Sequence, residues 1–145
     1  KEAAMGFSLG SRELADECLR LQEEDPEFKE KMKGLNAKLL MVCLDCPGNE
    51  DRQMAIVFED GRLTEIITEA KPAPSDLRTA DFDHAKYEFR VQAPQATYID
   101  MISGKMDMIQ ALPVVKIDGD FATLMTKAEG FINFIKYLAN LDIVP

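Results

Sequence analysis

The sequence predicts an α+β domain in which helices cover one face of a mainly antiparallel sheet. Segments with helical periodicity gather at the two ends of the chain, whereas segments typical of strands follow one another between them. The length of 145 residues predicts a single domain. A hydrophobic content of 46% with 30% charged residues is ordinary for a globular protein, so neither value argues against a packed core.

The N-terminal part is predicted to form two helices. Residues 1–10 show no period and are expected to be a flexible lead-in, so the domain is assigned to residues 11–145. Ser11 is a suitable N-cap, Pro26 suits the first position of a second, short helix, and Gly34 suits its end. The inward face of the first helix is predicted to carry Leu14, Ala15, Cys18, Leu19 and Leu21.

Five segments are typical of strands. They are residues 38–46, 54–59, 63–69, 86–93 and 114–117. The first two are apolar on both faces, which indicates central strands. Asp60-Gly61 predicts a two-residue hairpin turn. Residues 71–76 are predicted to form a loop, because their two prolines do not fit a central strand.

The C-terminal part combines short, apolar helices. One helix carries Tyr98, Met101 and Ile102 and is predicted to end at Gly104, and a second turn carries Met106, Ile109 and Leu112. A last helix, capped by Asp120, carries Leu124 and Met125 and is expected to kink at Gly130 before Phe131 and Ile135. Such broken helices cannot pack over a sheet as tightly as one long helix, which favours an apolar cavity beneath them. A stripe of methionines is equally typical of an ordinary core, so the residues alone leave both interpretations open.

The charge balance argues against nucleic acid as a partner. The chain has 26 acidic and 17 basic residues, for a net charge of −9, whereas a nucleic-acid binder needs clustered Lys and Arg. The same balance predicts at most transient contact with an anionic membrane. Three cysteines are too few for a disulfide framework and indicate a reducing compartment, most simply the cytoplasm.

No catalytic or metal-binding residue is predicted, and no cofactor. Cys43 and Cys46 have the spacing of a redox pair, but they end a predicted strand, where positions three apart point to opposite faces. One buried and one edge cysteine is therefore the favoured interpretation. A zinc site would need two more ligands, and only Cys18 and the single histidine, His84, remain.

The chain resembles the sterol carrier protein type-2 family over about residues 10–140. The resemblance is carried by the strand around residues 87–93, the Gly-Lys-Met-Asp corner at 104–107 and the Lys-Ile-Asp-Gly-Asp segment at 116–120. Many members have a further Gly-Lys before the last strand, whereas residues 112–115 here read Leu-Pro-Val-Val. The resemblance implies a five-stranded sheet whose helices enclose an apolar tunnel. Its wall would include Met101, Ile102, Met106, Ile109, Leu112, Leu124 and Met125, with Phe131 and Ile135 near the mouth.

The expected function is therefore the non-enzymatic binding and transfer of an apolar lipid. The resemblance leaves fatty acid, acyl-CoA, phospholipid, isoprenoid and sterol-like cargo as alternatives. The rival hypothesis is an accessory or scaffold domain of a lipid- or quinone-modifying assembly. That hypothesis predicts an exposed apolar patch around Phe131, Phe134 and Ile135 on the last helix, used for docking or for a homodimer.

Overall fold

The computed structural model describes residues 6–145, and within them the chain forms a five-stranded sheet and a two-stranded one. The strands are β1 (Phe7–Ser8), β2 (Ala37–Cys46), β3 (Glu50–Glu59), β4 (Arg62–Pro72), β5 (Phe89–Pro94), β6 (Lys116–Gly119) and β7 (Ile143–Val144). The helices are α1 (Arg12–Glu24), α2 (Pro26–Met32), α3 (Gln95–Ile102), α4 (Met108–Ala111), α5 (Phe121–Thr126) and α6 (Ala128–Leu138), with 3-10 helices at Asp76–Arg78 and Leu112–Val114.

The large sheet has the order β4-β3-β2-β5-β6, and β2 lies at its centre. The pairing of β2 with β5 is parallel, and the other three pairings are antiparallel. The predicted fold class, an α+β domain with a five-stranded and mainly antiparallel sheet, is thus confirmed. The parallel pair is connected by β3, β4 and a long loop.

The turn between β3 and β4 shows how the sequence sets the strand register. Asp60 and Gly61 have φ values of 51° and 82°, as a tight two-residue hairpin turn requires. A Cβ atom at Gly61 would lie 2.7 Å from the carbonyl oxygen of Met32, so this turn also packs closely on the end of α2. β4 continues to Pro72, into the predicted loop, which is possible because β4 is an edge strand.

Helices cover one face of the sheet and an irregular segment covers the other. The α2 helix packs on α6, where the rings of Phe28 and Tyr137 meet edge to face at 4.9 Å. On the opposite face, the segment 73–88 is fixed by Arg78, which binds the fully buried carboxylate of Asp51 through two nitrogens, each at 2.8 Å. The helical side of the sheet therefore holds the main core.

Two expectations about the chain ends differ from the structure. Residues 1–5 of the predicted lead-in lie outside the described residues, but Phe7–Ser8 pair with Ile143–Val144, and Leu9 is fully buried. A strand of two residues is too short to show a period. The last helix is interrupted at Lys127, not at Gly130, which lies inside α6.

Within residues 6–145, no helix combines the length and the apolar character that crossing a bilayer requires.

Candidate functional site

An apolar cavity lies between the helical face of the sheet and helices α3 to α6. Its floor consists of Leu39 and Met41 from β2, Val91 from β5 and Ile117 from β6. The rest of its wall comprises Leu9, Tyr98, Met101, Ile102, Met108, Ala111, Leu112, Val115, Leu124, Phe131, Phe134, Ile135 and Leu138. The space between these residues measures about 100 Å³.

The corner between α3 and α4 shapes one side of the cavity. Gly104 has a φ of +84° with open space around its α-carbon, so the left-handed conformation alone accounts for a glycine here. The N–H of Lys105 donates to the carbonyl of Asp100 at 2.8 Å, which closes the end of α3. Asp107 and Gln110 then form a reciprocal capping box that starts α4.

The one hydroxyl among the lining side chains is already satisfied. The Tyr98 hydroxyl lies 3.0 Å from the carbonyl oxygens of both Val42 and Val91, to which it can donate. Burial raises the pKa of this phenol well above its usual value, so the group stays neutral. The space is therefore lined by apolar groups, and a cavity of this kind stays dry and accepts apolar ligands.

Six of the nine predicted site residues line the cavity and three do not. Those that line it are Met101, Ile102, Leu112, Leu124, Phe131 and Ile135. Met106 precedes α4 and is half-buried outside the cavity, while Ile109 and Met125 are 64% and 39% exposed. A role of these three side chains in holding a ligand therefore has no support from their position, although their residue types suggested it.

The phase of α4 explains what the sequence analysis missed there. Because the cap at Asp107 makes Met108 the first helical residue, positions 108, 111 and 112 share the inward face, and Ile109 points outward. The Asp-x-x-Gln capping signature was present in the sequence and marks Met108 as the start of this helix. The contribution of Leu9 depends on the pairing of the two chain ends, for which no local signal exists. Leu138 lies on the inward face of α6, three residues after Ile135, so the helical spacing was the signal for it.

The apolar patch that the scaffold hypothesis predicted on the last helix is not exposed. Phe131 and Phe134 are 8% and 7% exposed and pack edge to face on Phe89 and Phe58, with ring centroids 6.1 and 5.6 Å apart. Ile135 is half-buried and lines the cavity. This face of α6 is thus part of the core, because residues 131, 134, 135 and 138 share the side of the helix that packs on the sheet.

Both cysteines of the Cys-x-x-Cys segment are buried, which corrects the expectation of one buried and one edge cysteine. The register of β2 shifts between Cys43 and Cys46, and Asp45 adopts a φ of 55°, so this bulge turns the two side chains into the same core. The hydrogen bond from Cys46 and burial raise the pKa of the Cys43 thiol well above its usual value.

Neither His84 nor a zinc site gives the described residues a reactive centre. His84 is exposed and its ring meets that of Phe82 edge to face at 4.6 Å. Among residues 6–145, no three His, Cys, Asp or Glu side chains lie together as metal ligands would.

Comparisons with known proteins identify the fold. No protein-family model matches the chain, and no curated protein sequence matches it. The crystal structure of a sterol carrier protein 2 superposes with a TM-score of 0.67 at 15% identity, over 92% of this chain and 98% of that one. A conserved hypothetical protein of Thermus thermophilus, described as possibly a sterol carrier protein, gives 0.66 at 17% identity, over 99% and 98%. The sterol carrier protein domain 2 of Helicoverpa armigera gives 0.53 at 13% identity, over 97% and 96%.

The chain therefore has the sterol carrier protein 2 fold. The superposition spans nearly all of this chain and nearly all of each neighbour, so the shared unit is the whole domain and not one motif. The resemblance inferred from residues 104–107 and 116–120 is confirmed at the level of the fold.

Proposed function

We propose that the protein binds the apolar chain of a lipid in this cavity, without covalent chemistry, and acts as a carrier. The observation that carries the proposal is an apolar wall around a space beneath the helices, in a fold shared with proteins named sterol carriers. Each methylene group transferred from water into such a space contributes about 0.8 kcal/mol. The burial of several methylene groups therefore offsets the translational, rotational and conformational entropy that the lipid loses on binding.

Loading requires the cavity to expand. Its volume of about 100 Å³ is below the roughly 300–1,000 Å³ of typical ligand sites, so a long chain has to displace side chains. The wall is suited to this, because Met41, Met101 and Met108 are unbranched and adapt to ligands of different shapes. The adjacent helix α4 has only four residues and can shift at low cost.

The first experiment is native mass spectrometry of the freshly purified protein, followed by extraction of whatever is released. We expect a discrete mass excess that extracts as a lipid, or uptake of one equivalent of added dodecan-1-ol. A protein that carries no lipid and takes up none would refute the proposal.

A matched pair of methionine variants locates the site. Met101→Asp places a charge in the cavity wall, whereas Met125→Asp places the same charge on a partly exposed position outside it. We expect the first variant to lose uptake and the second to keep it, because a carboxylate cannot be desolvated beside an apolar chain at low cost. Circular dichroism checks that both variants are folded. Normal uptake by a folded Met101→Asp would show that this cavity is not the site.

A further inference from the structure

The two thiols of the Cys43-Leu-Asp-Cys46 segment are brought together by the bulge in β2. On a regular strand, residues three apart point to opposite faces, and their α-carbons lie roughly 10 Å from each other, farther than a disulfide can span. In this chain Leu44 and Asp45 of β2 lie opposite the single residue Asp51 of β3, and Asp45 adopts a φ of 55°. The bulge therefore turns both thiols into one core cluster and removes the objection to their acting as a pair.

An ionic network holds this bulge in place. The backbone N–H of Asp45 donates to the Asp51 carboxylate at 3.1 Å. The Arg78 guanidinium binds the carboxylates of both Asp45 and Asp51, at 2.8 Å in each case. Because Asp51 is fully buried, its charge requires these partners. The backbone conformation that brings the two cysteines together is thus a fixed part of the fold.

The two thiols differ in their surroundings. The Sγ atom of Cys46 lies 3.5 Å from the carbonyl oxygen of Cys43, and a hydrogen bond links the two thiols. This bond and the nearby Arg52 guanidinium, which donates to the carbonyl of Pro47 at 3.2 Å, lower the pKa of Cys46 despite its burial. The same bond and complete burial raise the pKa of Cys43. Cys46 is therefore the thiol that ionises first.

Cys46 also lies next to an exposed part of the chain. It ends β2 and is followed by the exposed turn residues Pro47, Gly48 and Asn49. Its own side chain is 3% exposed, whereas that of Cys43 is 0% exposed. A local opening of this turn, without unfolding of the domain, gives a small oxidant access to Cys46.

We propose that Cys43 and Cys46 form an oxidisable dithiol, which a hydroperoxide converts into an intramolecular disulfide. The Cys46 thiolate attacks one oxygen of the hydroperoxide and the O–O bond breaks, so that Cys46 becomes a sulfenic acid. The other oxygen leaves with a proton, as an alcohol or, from hydrogen peroxide, as water. The Cys43 sulfur then attacks the Cys46 sulfur, and the hydroxyl group leaves as water with the proton of the Cys43 thiol. In total the two thiols lose two electrons and two protons, and the hydroperoxide gains them.

This site is independent of the lipid-binding proposal and can be tested without a lipid. The reduced, folded protein is exposed to hydrogen peroxide at neutral pH for increasing times. The remaining thiols are then alkylated in urea and located by peptide mapping, so that oxidation of methionine does not interfere. We expect Cys43 and Cys46 to lose their thiols together, in a single peptide that contains a disulfide, and dithiothreitol to restore both.

Cys18 is the internal control. It is fully buried in α1, and burial raises its pKa to about 12. Since the thiolate is the form that reacts, we expect Cys18 to be oxidised at least about tenfold more slowly than Cys46.

Two variants assign the roles of the paired cysteines. In Cys43→Ser the sulfenic acid at Cys46 has no thiol to attack it, so it should persist and be trapped by dimedone. In Cys46→Ser the remaining thiol of Cys43 should stay reduced over the same time. Circular dichroism checks that both variants are folded.

The wild type alone can overturn the proposal, even if a variant does not fold. Oxidation of Cys18 as fast as of the pair would mean that the protein reacts through unfolding, and the dithiol would then have no special reactivity. Retention of both thiols under conditions that oxidise them in the urea-unfolded protein would also refute the site. If a folded Cys46→Ser loses its Cys43 thiol as fast as the wild type does, Cys46 is not the residue that the peroxide attacks, and the proposed reaction is wrong.

Discussion

Leu124 offers a quantitative test of the cavity, because its side chain is 2% exposed and forms part of the wall. Replacing it with alanine removes three carbon groups from the core, which costs about 2.4 kcal/mol at about 0.8 kcal/mol each. The vacated space joins an existing cavity and cannot easily collapse. Roughly 40 Å³ of residual space adds about 1 kcal/mol at about 24 cal/mol per Å³. We therefore expect Leu124→Ala to lose about 3–4 kcal/mol of unfolding free energy.

A bound chain should restore part of this loss. The enlarged cavity of Leu124→Ala admits dodecan-1-ol with less displacement of the wall, so the ligand should bind it more tightly than it binds the wild type. At 100 times the dissociation constant, a ligand that binds only the folded state adds about 2.7 kcal/mol. Urea denaturation, with and without the alcohol, measures both the loss of unfolding free energy and its recovery.

Leu14→Ala is the matched control. Leu14 is 1% exposed in α1 and belongs to the core but does not line the cavity. Its truncation should cost a similar free energy, and dodecanol should stabilise this variant no more than the wild type. Equal rescue of both variants would mean that the alcohol binds any loosened core. Absence of rescue in Leu124→Ala would refute the assignment of Leu124 to a ligand-accessible wall.

Two further predictions concern residues that stabilise the fold. Asp51→Asn should cost about 3 kcal/mol, because it leaves Arg78 without its buried partner. The hydrogen bonds from Arg78 hold the pKa of Asp51 well below its usual value, so its stabilisation is present above about pH 4 and is lost as the pH falls through the folded pKa. The stability curves of variant and wild type should therefore converge in acid, and parallel curves would contradict this. Gly104→Ala should lower the free energy of unfolding by about 1 kcal/mol, because alanine is disfavoured in the left-handed conformation. Gly61→Ala should lower it by more than about 2 kcal/mol, because the added methyl group also meets the carbonyl of Met32. Equal losses in urea denaturation would show that the contact with Met32 is relieved without cost.

Local signals in the sequence predicted most of the fold. The cap at Ser11 accepts the N–H of Leu14 at 3.1 Å, and Asp60-Gly61 forms the predicted hairpin. These predictions succeed because a turn or a helix start is decided by a few neighbouring residues. The pairing of β1 with β7 joins residues more than 130 positions apart, and a two-residue strand carries no period from which it could be inferred.

The candidate site was predictable in part, for the same reason. Met101 and Ile102 line the cavity because α3 is long enough to set its own phase, and their part in binding a ligand stays a prediction. The four residues of α4 are too few for that, so which of its side chains face inward depends on how it packs on the rest of the domain. The Cys43–Cys46 bulge is likewise a feature of strand pairing that no residue type announces.

Three interruptions of the helical cover adjoin the cavity. The Gly104 corner, the 3-10 helix Leu112–Val114 and the break at Lys127 each adjoin wall residues, whereas α1, away from the cavity, is a regular helix of 13 residues. A single long helix in place of α3 and α4, or of α5 and α6, would pack more closely on the sheet and leave less space. In most proteins the local helix and strand preferences, the hydrophobic pattern and the packing favour the same structure, and departures from this agreement tend to mark functional sites. The broken helices therefore give the lipid-binding proposal a second support, because they forgo packing energy at a place where a ligand could supply it.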